Sequence, residues 1–117
     1  MASATATLNR RGTSEIYIGG AGDTRTRLVA AYAEARQRDF AHEAHHDAHY
    51  FPHYALRRIL NLARQHADAG RTLILVGHSW GGDTALRVLK ALQPRRVDLL
   101  VCVDPVPKSR LNPPPTP

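Results

Sequence analysis

The chain has 117 residues, with 16 lysine and arginine residues, 10 aspartate and glutamate residues, and a formal net charge of +6 at pH 7. This length suffices for one small domain. No apolar run approaches the roughly 20 residues of a membrane-spanning helix, and the amino-terminal segment lacks the apolar core of a secretory signal. The basic residues are spread along the sequence rather than gathered in one block, which argues against a specific nucleic-acid partner. The single cysteine, Cys102, excludes an internal disulfide and favours a reducing, cytoplasmic setting.

The amino-terminal half of the sequence predicts a strand, a helix and a second strand. A β-prone run predicts the first strand at 14–18, and glycines at 19–22 predict a turn after it. A helix is expected over 24–38 with Asp23 as its N-cap. Its apolar residues recur at helical spacing: Leu28, Val29, Tyr32 and Ala35. After a polar connection, a short strand is expected at 48–51.

The carboxyl-terminal half predicts two further helices and two further strands. One helix begins near Pro52, which suits a first turn, and stops at Gly70. Continuous apolar runs predict strands at 72–77 and 97–103, both of the kind that is covered on both faces. Between them a helix is expected over 80–92. Cys102 is interpreted as a small buried apolar residue.

The alternation of strands and helices predicts an α/β fold with three layers: a parallel sheet of about four strands with helices on both faces. We assign this domain to residues 14–107. Residues 1–13 are expected to be a flexible amino terminus and residues 108–117 a flexible proline-rich tail.

The segment LILVGHSWGGDTAL contains a G-x-S-x-G pentapeptide, Gly77-His78-Ser79-Trp80-Gly81. It lies between a predicted strand and a predicted helix, which is the context of a nucleophile elbow. Such a tight turn requires a strained backbone at Ser79, and glycine at 77 and 81 because strand and helix pass too closely for a Cβ. The N–H of Trp80 at the helix start can point at a developing oxyanion. The pattern predicts Ser79 as a nucleophile and His78 as a packed elbow residue.

On these residues the chain resembles the central part of an α/β-hydrolase of the lipase, esterase or thioesterase kind. IYIGGAGD at 16–23 resembles the family's glycine-rich loop, whose second oxyanion N–H would come from Gly20 or Ala21. VCVDPVP at 101–107 resembles the strand end that carries the triad acid in some lipases, which makes Asp104 the candidate acid. Taken alone, the first segment could be only a turn, and Asp104 only a turn or cap residue.

The resemblance also implies a truncated α/β-hydrolase-like sheet. In it the strand at 48–51 lies outermost, followed by those at 14–18, 72–77 and 97–103. Two sheet edges would then be open, and a homodimer could form through them.

The resemblance implies a serine hydrolase that cleaves a small-molecule or lipid acyl ester, or a thioester, through an acyl-enzyme at Ser79 and without a cofactor. The family's base follows the acid, but no histidine follows Asp104 in this sequence. His53 is a candidate base, because the carboxyl end of a parallel strand at 48–51 would approach the active-site rim. Otherwise the base lies outside this chain, or activity is weak or lost. The alternative is a non-catalytic binding or regulatory domain that lacks the triad histidine.

Five histidines lie within residues 42–53. His42, Glu43 and His46 match H-E-x-x-H, which on a helix would place both histidines on one face for Zn²⁺. The run is polar and Pro52 follows closely, so a solvated connection is the favoured interpretation and no metal site is predicted. His66 is expected to be structural.

Overall fold

The computed structural model describes residues 12–21 and 27–103. Strands and helices alternate along this part of the chain, as the sequence predicts. The elements in chain order are β1 (Thr13–Gly19), α1 (Leu28–Asp39), β2 (His46–Pro52), α2 (Leu56–Asp68), β3 (Thr72–His78), α3 (Trp80–Leu92) and β4 (Leu99–Val103). None of these helices is long and apolar enough to cross a membrane.

The four strands form one parallel sheet in the order β2-β1-β3-β4, which confirms the predicted order. In the register, Ile18 of β1 lies opposite both Phe51 of β2 and Gly77 of β3. Because all strands run the same way, the residues that follow β1, β2 and β3 meet at one edge of the sheet. This carboxyl edge is where Gly20 and Ala21, the predicted elbow and His53 lie.

Helices cover the two faces of the sheet unequally. Helices α2 and α3 pack on one face over the main core, which includes Ile16, Ile59, Leu75 and Val88, none of them exposed to solvent. Helix α1 packs on the other face against β1 and β2, over a smaller core of Tyr17, Ala33 and Ala48. The predicted three-layer α/β arrangement is therefore confirmed.

The end of α2 shows how the sequence stops a helix. Gly70 has φ 75°, a left-handed conformation that glycine adopts without steric cost. Its N–H donates to Ala67 O at 3.0 Å, and the N–H of Arg71 donates to His66 O at 3.1 Å. This pair of bonds is the Schellman motif, so Gly70 ends α2 as predicted. The motif also brings His66 and Arg71 together.

Three details of the sequence predictions are wrong. Helix α1 begins at Leu28 with Arg27 at its N-cap position, whereas Asp23 lies outside the described residues. Pro52 is the last residue of β2, and a turn separates it from α2. The strand predicted at 97–103 begins only at Leu99, because Asp98 instead binds Leu73 through both its side chain and its backbone N–H.

Burial also departs from the expected pattern on one face of the sheet. Leu28 and Tyr32 of α1 are mostly exposed, and the helix buries Ala30 and Ala33 instead. Strand β4 exposes three apolar side chains in alternation: Leu99, Val101 and Val103. Helix α1 packs mainly against β1 and β2, and these three β4 side chains stay exposed among the described residues. Cys102 points to the other side and is half-buried, with Sγ 3.7 Å from Gly82 O.

Candidate active site

The turn from β3 into α3 has the backbone geometry that an elbow requires. Ser79 occupies the N-cap position of α3 with φ 56° and ψ −122°. Positive φ is strained for a residue with a Cβ, and costs on the order of 1–3 kcal/mol. The Ser79 backbone is held on both sides: its N–H donates to Val103 O at 2.9 Å, and its carbonyl accepts from the N–H of Gly82 at 2.9 Å. The surrounding structure thus fixes the serine in a conformation that the chain would otherwise avoid.

The glycines around Ser79 are required by close packing. A Cβ added at Gly77 would collide with the backbone of Gly81, and one added at Gly81 would collide with the carbonyl of Ile18 in β1. Helix α3 therefore rests directly on the ends of β3 and β1. This is the physical reason for glycine at both positions of the pentapeptide.

The residue after β1 lies against the elbow. A Cβ built on Gly20 would lie 2.9 Å from the Cβ of Ser79 and 3.2 Å from the backbone nitrogen of Trp80. Trp80 is the first helical residue of α3, where an N–H has no acceptor within the helix. Gly20 is thus packed closely against Ser79 and against the amino end of a helix, which favours negative charge. Ala21, the other candidate donor, is exposed.

His53 follows β2 and lies near the elbow. Its ring packs edge-on against the Trp80 indole, with centroids 5.0 Å apart and an interplanar angle of 69°. Its carbonyl accepts a hydrogen bond from Thr84 Oγ1 of α3 at 2.8 Å. These contacts tie the carboxyl end of β2 to the helix that carries the elbow. His53 and the residue next to Ser79 are therefore brought together, although β1 lies between β2 and β3 in the sheet.

The remaining predicted residues differ in how the structure places them. His78 is the last residue of β3 and is exposed. Asp104 lies outside the described residues. The carbonyl of Val103, the residue before it, accepts a hydrogen bond from the Ser79 N–H. His42 and Glu43 are exposed in the turns after α1, which ends at Asp39, so the H-E-x-x-H run is not helical. His42, Glu43 and His45 lie in the connection between α1 and β2 and are exposed, as expected, whereas His46 is the first residue of β2 and is half-buried.

A buried carboxylate on β1 is missed by the sequence analysis. Glu15 is 3 % exposed and accepts hydrogen bonds from Arg36 Nη2 at 2.7 Å and from the Tyr17 hydroxyl at 2.7 Å, while His46 Nε2 lies 2.6 Å away. Burial alone would raise its pKa, but these hydrogen-bonding neighbours and the Arg36 charge lower the pKa of Glu15 to about 2. The sequence signal that could have revealed this carboxylate is a charged residue within an otherwise apolar strand. The network joins β1, α1 and β2 and lies away from the elbow.

A parallel α/β sheet whose strand enters a helix through a serine at φ 56° defines a domain of the α/β-hydrolase class. A family model agrees with that geometry: the model described as alpha/beta hydrolase fold matches residues 19–117. The chain belongs to this family. No curated protein and no solved structure gives a significant match to the chain.

Proposed function

We propose that the protein is a serine hydrolase that cleaves a carboxylic ester or thioester through an acyl-enzyme at Ser79. The observation that carries the proposal is the strained backbone of Ser79, with φ 56° and ψ −122°, between β3 and α3. A fold can keep glycines for packing alone, but packing does not call for a serine in a conformation that glycine adopts more easily. Strain of this kind is characteristic of functional sites.

In the proposed reaction, Ser79 Oγ attacks the acyl carbon while a base takes its proton. The carbonyl oxygen becomes an oxyanion beside the N–H groups of Trp80 and of Gly20 or Ala21. The proton passes to the leaving alcohol or thiol as the acyl bond breaks. Water, deprotonated by the same base, then attacks the acyl-enzyme, and the acid product leaves as Ser79 regains its proton. The substrate class is a small-molecule or lipid acyl ester.

His53 is the proposed base, with Asp104 as the acid that would orient an imidazole. Among the seven histidines of the sequence, only His53 and His78 lie at the carboxyl edge of the described sheet. His78 precedes the serine on a strand, so its side chain points to the opposite side from the residue after it. His53 is supported by its contact with the Trp80 ring. That the His53 ring reaches the Ser79 hydroxyl is part of the proposal.

The second candidate function is a non-catalytic binding or regulatory domain. One observation favours it: no histidine follows Asp104 in this sequence, whereas the family places its base after the acid. Such a domain would retain the elbow glycines because strand and helix need them for packing.

Self-association through β4 is a further part of the proposal. Strand β4 pairs with β3 on one side, and no described strand pairs with its other side. Its exposed face is apolar, and an open apolar edge is prone to pair with another strand. A second copy could add its own β4 across a two-fold axis.

The experiment that tests the catalytic proposal is intact-mass spectrometry after incubation with a fluorophosphonate probe. The wild type should gain one adduct, and Ser79→Ala should gain none, because the probe reacts with an activated serine hydroxyl. Folded wild-type protein that gains no adduct would favour the non-catalytic domain.

A further inference from the structure

A second cluster of polar side chains lies at the amino edge of the sheet, opposite the edge that carries Ser79. Asp47 and His49 are two residues apart on β2, so their side chains lie on the same face of the strand. His66 comes from the last turn of α2, and its ring lies beside that of His49. One ligand atom from each of these three residues lies within 4.8 Å of the other two.

The three side chains are a donor set that suits zinc. Zn²⁺ binds imidazole nitrogen and carboxylate oxygen at about 2.0–2.2 Å, and a tetrahedral site places such atoms roughly 3.3 Å apart. His49 Nε2 and Asp47 Oδ1 are already 2.9 Å apart. The His49 and His66 rings are tilted by 41° to each other, with their centroids 5.6 Å apart. Small rotations of the side chains would therefore bring all three atoms onto one ion.

His66 is prepared for binding by its surroundings. Its Nε2 is shielded from solvent and has no hydrogen-bond partner among the described residues. An unpaired polar atom in such a position is costly, which a bound ion or a rotation of the ring towards one would relieve.

Arg71 already supplies one positive charge to this cluster. Its Nη1 lies 2.8 Å from Asp47 Oδ2 and donates to His66 Nδ1 at 3.1 Å. The guanidinium is held by the Schellman turn that ends α2 and by the carbonyl of Thr13, to which Nη2 donates at 3.1 Å. An incoming ion must therefore compete with an arginine for the same carboxylate and the same ring.

We propose that Asp47, His49 and His66 form a Zn²⁺ site whose affinity is limited by competition from Arg71. The ion would join β2 to α2 at the edge remote from the elbow. The ion would stabilise the fold, because a ligand that binds only the folded state raises its stability. It would take no part in acyl transfer, because it lies at the opposite edge of the sheet from Ser79.

Isothermal titration of the full chain with zinc chloride tests the proposal. The wild type should bind one Zn²⁺ per chain and unfold at a higher temperature when zinc is present. His49→Ala and His66→Ala should each weaken binding at least about tenfold, since even the loss of an outer partner of a ligand costs that much. Arg71→Met should bind zinc more tightly than the wild type, because the competing cation is gone.

His42→Ala and His45→Ala are the matched controls, because both histidines are exposed in the turns before β2 and lie outside the cluster. Zinc binding should be unchanged in both. Binding that survives His49→Ala and His66→Ala, or that is lost with the controls, would overturn the proposal. So would failure of both the wild type and Arg71→Met to take up zinc, or a folded Arg71→Met protein that binds no more tightly. The last comparison measures a gain, which partial unfolding of a variant cannot imitate.

Discussion

A Cβ built on Gly20 would lie 2.9 Å from the Cβ of Ser79. The same atom would lie 3.2 Å from the backbone nitrogen of Trp80. The first distance is shorter than real Cβ contacts, so a side chain at position 20 must displace either the loop after β1 or the elbow. Gly20 is thus packed against the elbow, next to the Trp80 N–H that the proposed oxyanion would meet.

Gly20→Ala should therefore lower the rate of fluorophosphonate labelling at Ser79 while the protein stays folded. We expect a loss of about 100-fold, the size of effect seen when one oxyanion donor is removed. The measurement is the labelling rate by intact mass, with thermal unfolding as the check on the fold. A folded Gly20→Ala protein that labels as fast as the wild type would show that the proposed oxyanion site does not depend on the close packing of Gly20 against the elbow.

His53→Ala tests the proposed base. Removal of a general base should slow labelling by roughly 10²- to 10⁴-fold, and added imidazole should restore part of the rate by filling the vacated space beside Trp80. His45→Ala is the control, because His45 is exposed in the turn before β2. Unchanged labelling in His53→Ala would show that His53 is not the base. The base would then be a group on another chain or in a segment beyond this one.

The proposed dimer is tested by Val101→Glu. Val101 lies in the middle of β4 with 36 % of its surface exposed, so a carboxylate there can be solvated in the monomer. Within a β4–β4 interface it would be close to its own copy, and like charges repel. The apparent mass by light scattering should fall to that of a monomer in the variant. Arg87→Glu, on the outer surface of α3, should leave it unchanged. A monomeric wild type would refute the interface.

Much of the fold could be predicted because local and global signals agree. The apolar run before Gly77 and the amphipathic run after it fix a strand and a helix, and parallel strands then place their ends at one edge. The spacing of apolar residues along α1 could not show which face of the helix is buried. Small residues, Ala30 and Ala33, approach the sheet, whereas the larger Leu28 and Tyr32 remain mostly exposed.

Only the part of the site that lies within one continuous segment could be predicted from the sequence. The residues of the pentapeptide determine the geometry of the turn, so the strained backbone of Ser79 could be predicted from the sequence. The contact between His53 and Trp80 joins residues 27 positions apart and depends on how β2 ends beside α3. The Glu15 network and the Asp47, His49 and His66 cluster also join separate elements, and no spacing in the sequence reveals them.

The strain at Ser79 predicts a trade between stability and function. Ser79→Gly should be more stable than Ser79→Ala by about 1 kcal/mol, because glycine adopts φ 56° without a clash between Cβ and the backbone. Both variants lack the hydroxyl, so neither should be labelled. Urea unfolding of the two variants measures the difference directly. Equal stability, or a more stable alanine variant, would mean that the elbow stores no strain and would weaken the argument for a built nucleophile.

The Glu15 carboxylate predicts how stability changes in acid. Its pKa is about 2 in the folded protein, below the ordinary 4.5. The unfolded chain therefore takes up a proton first, and the stabilisation that is complete above pH 4.5 is lost as the pH falls towards 2. At about 1.4 kcal/mol per pKa unit the loss is about 3 kcal/mol. Asp47 and Asp68 also have lowered pKa values, so they contribute in the same direction.

Urea unfolding of the wild type and of Glu15→Gln at pH 7, 4.5 and 3 isolates the Glu15 contribution. Glu15→Gln should be less stable than the wild type at pH 7, because Arg36 loses its charged partner. The gap between the two proteins should narrow as the pH falls, since the unfolded wild type takes up a proton at Glu15 before the folded protein does. A gap that stays constant from pH 7 to pH 3 would show that Glu15 has the same pKa in the folded and in the unfolded protein. The Arg36 and His46 contacts would then act through shape rather than through charge.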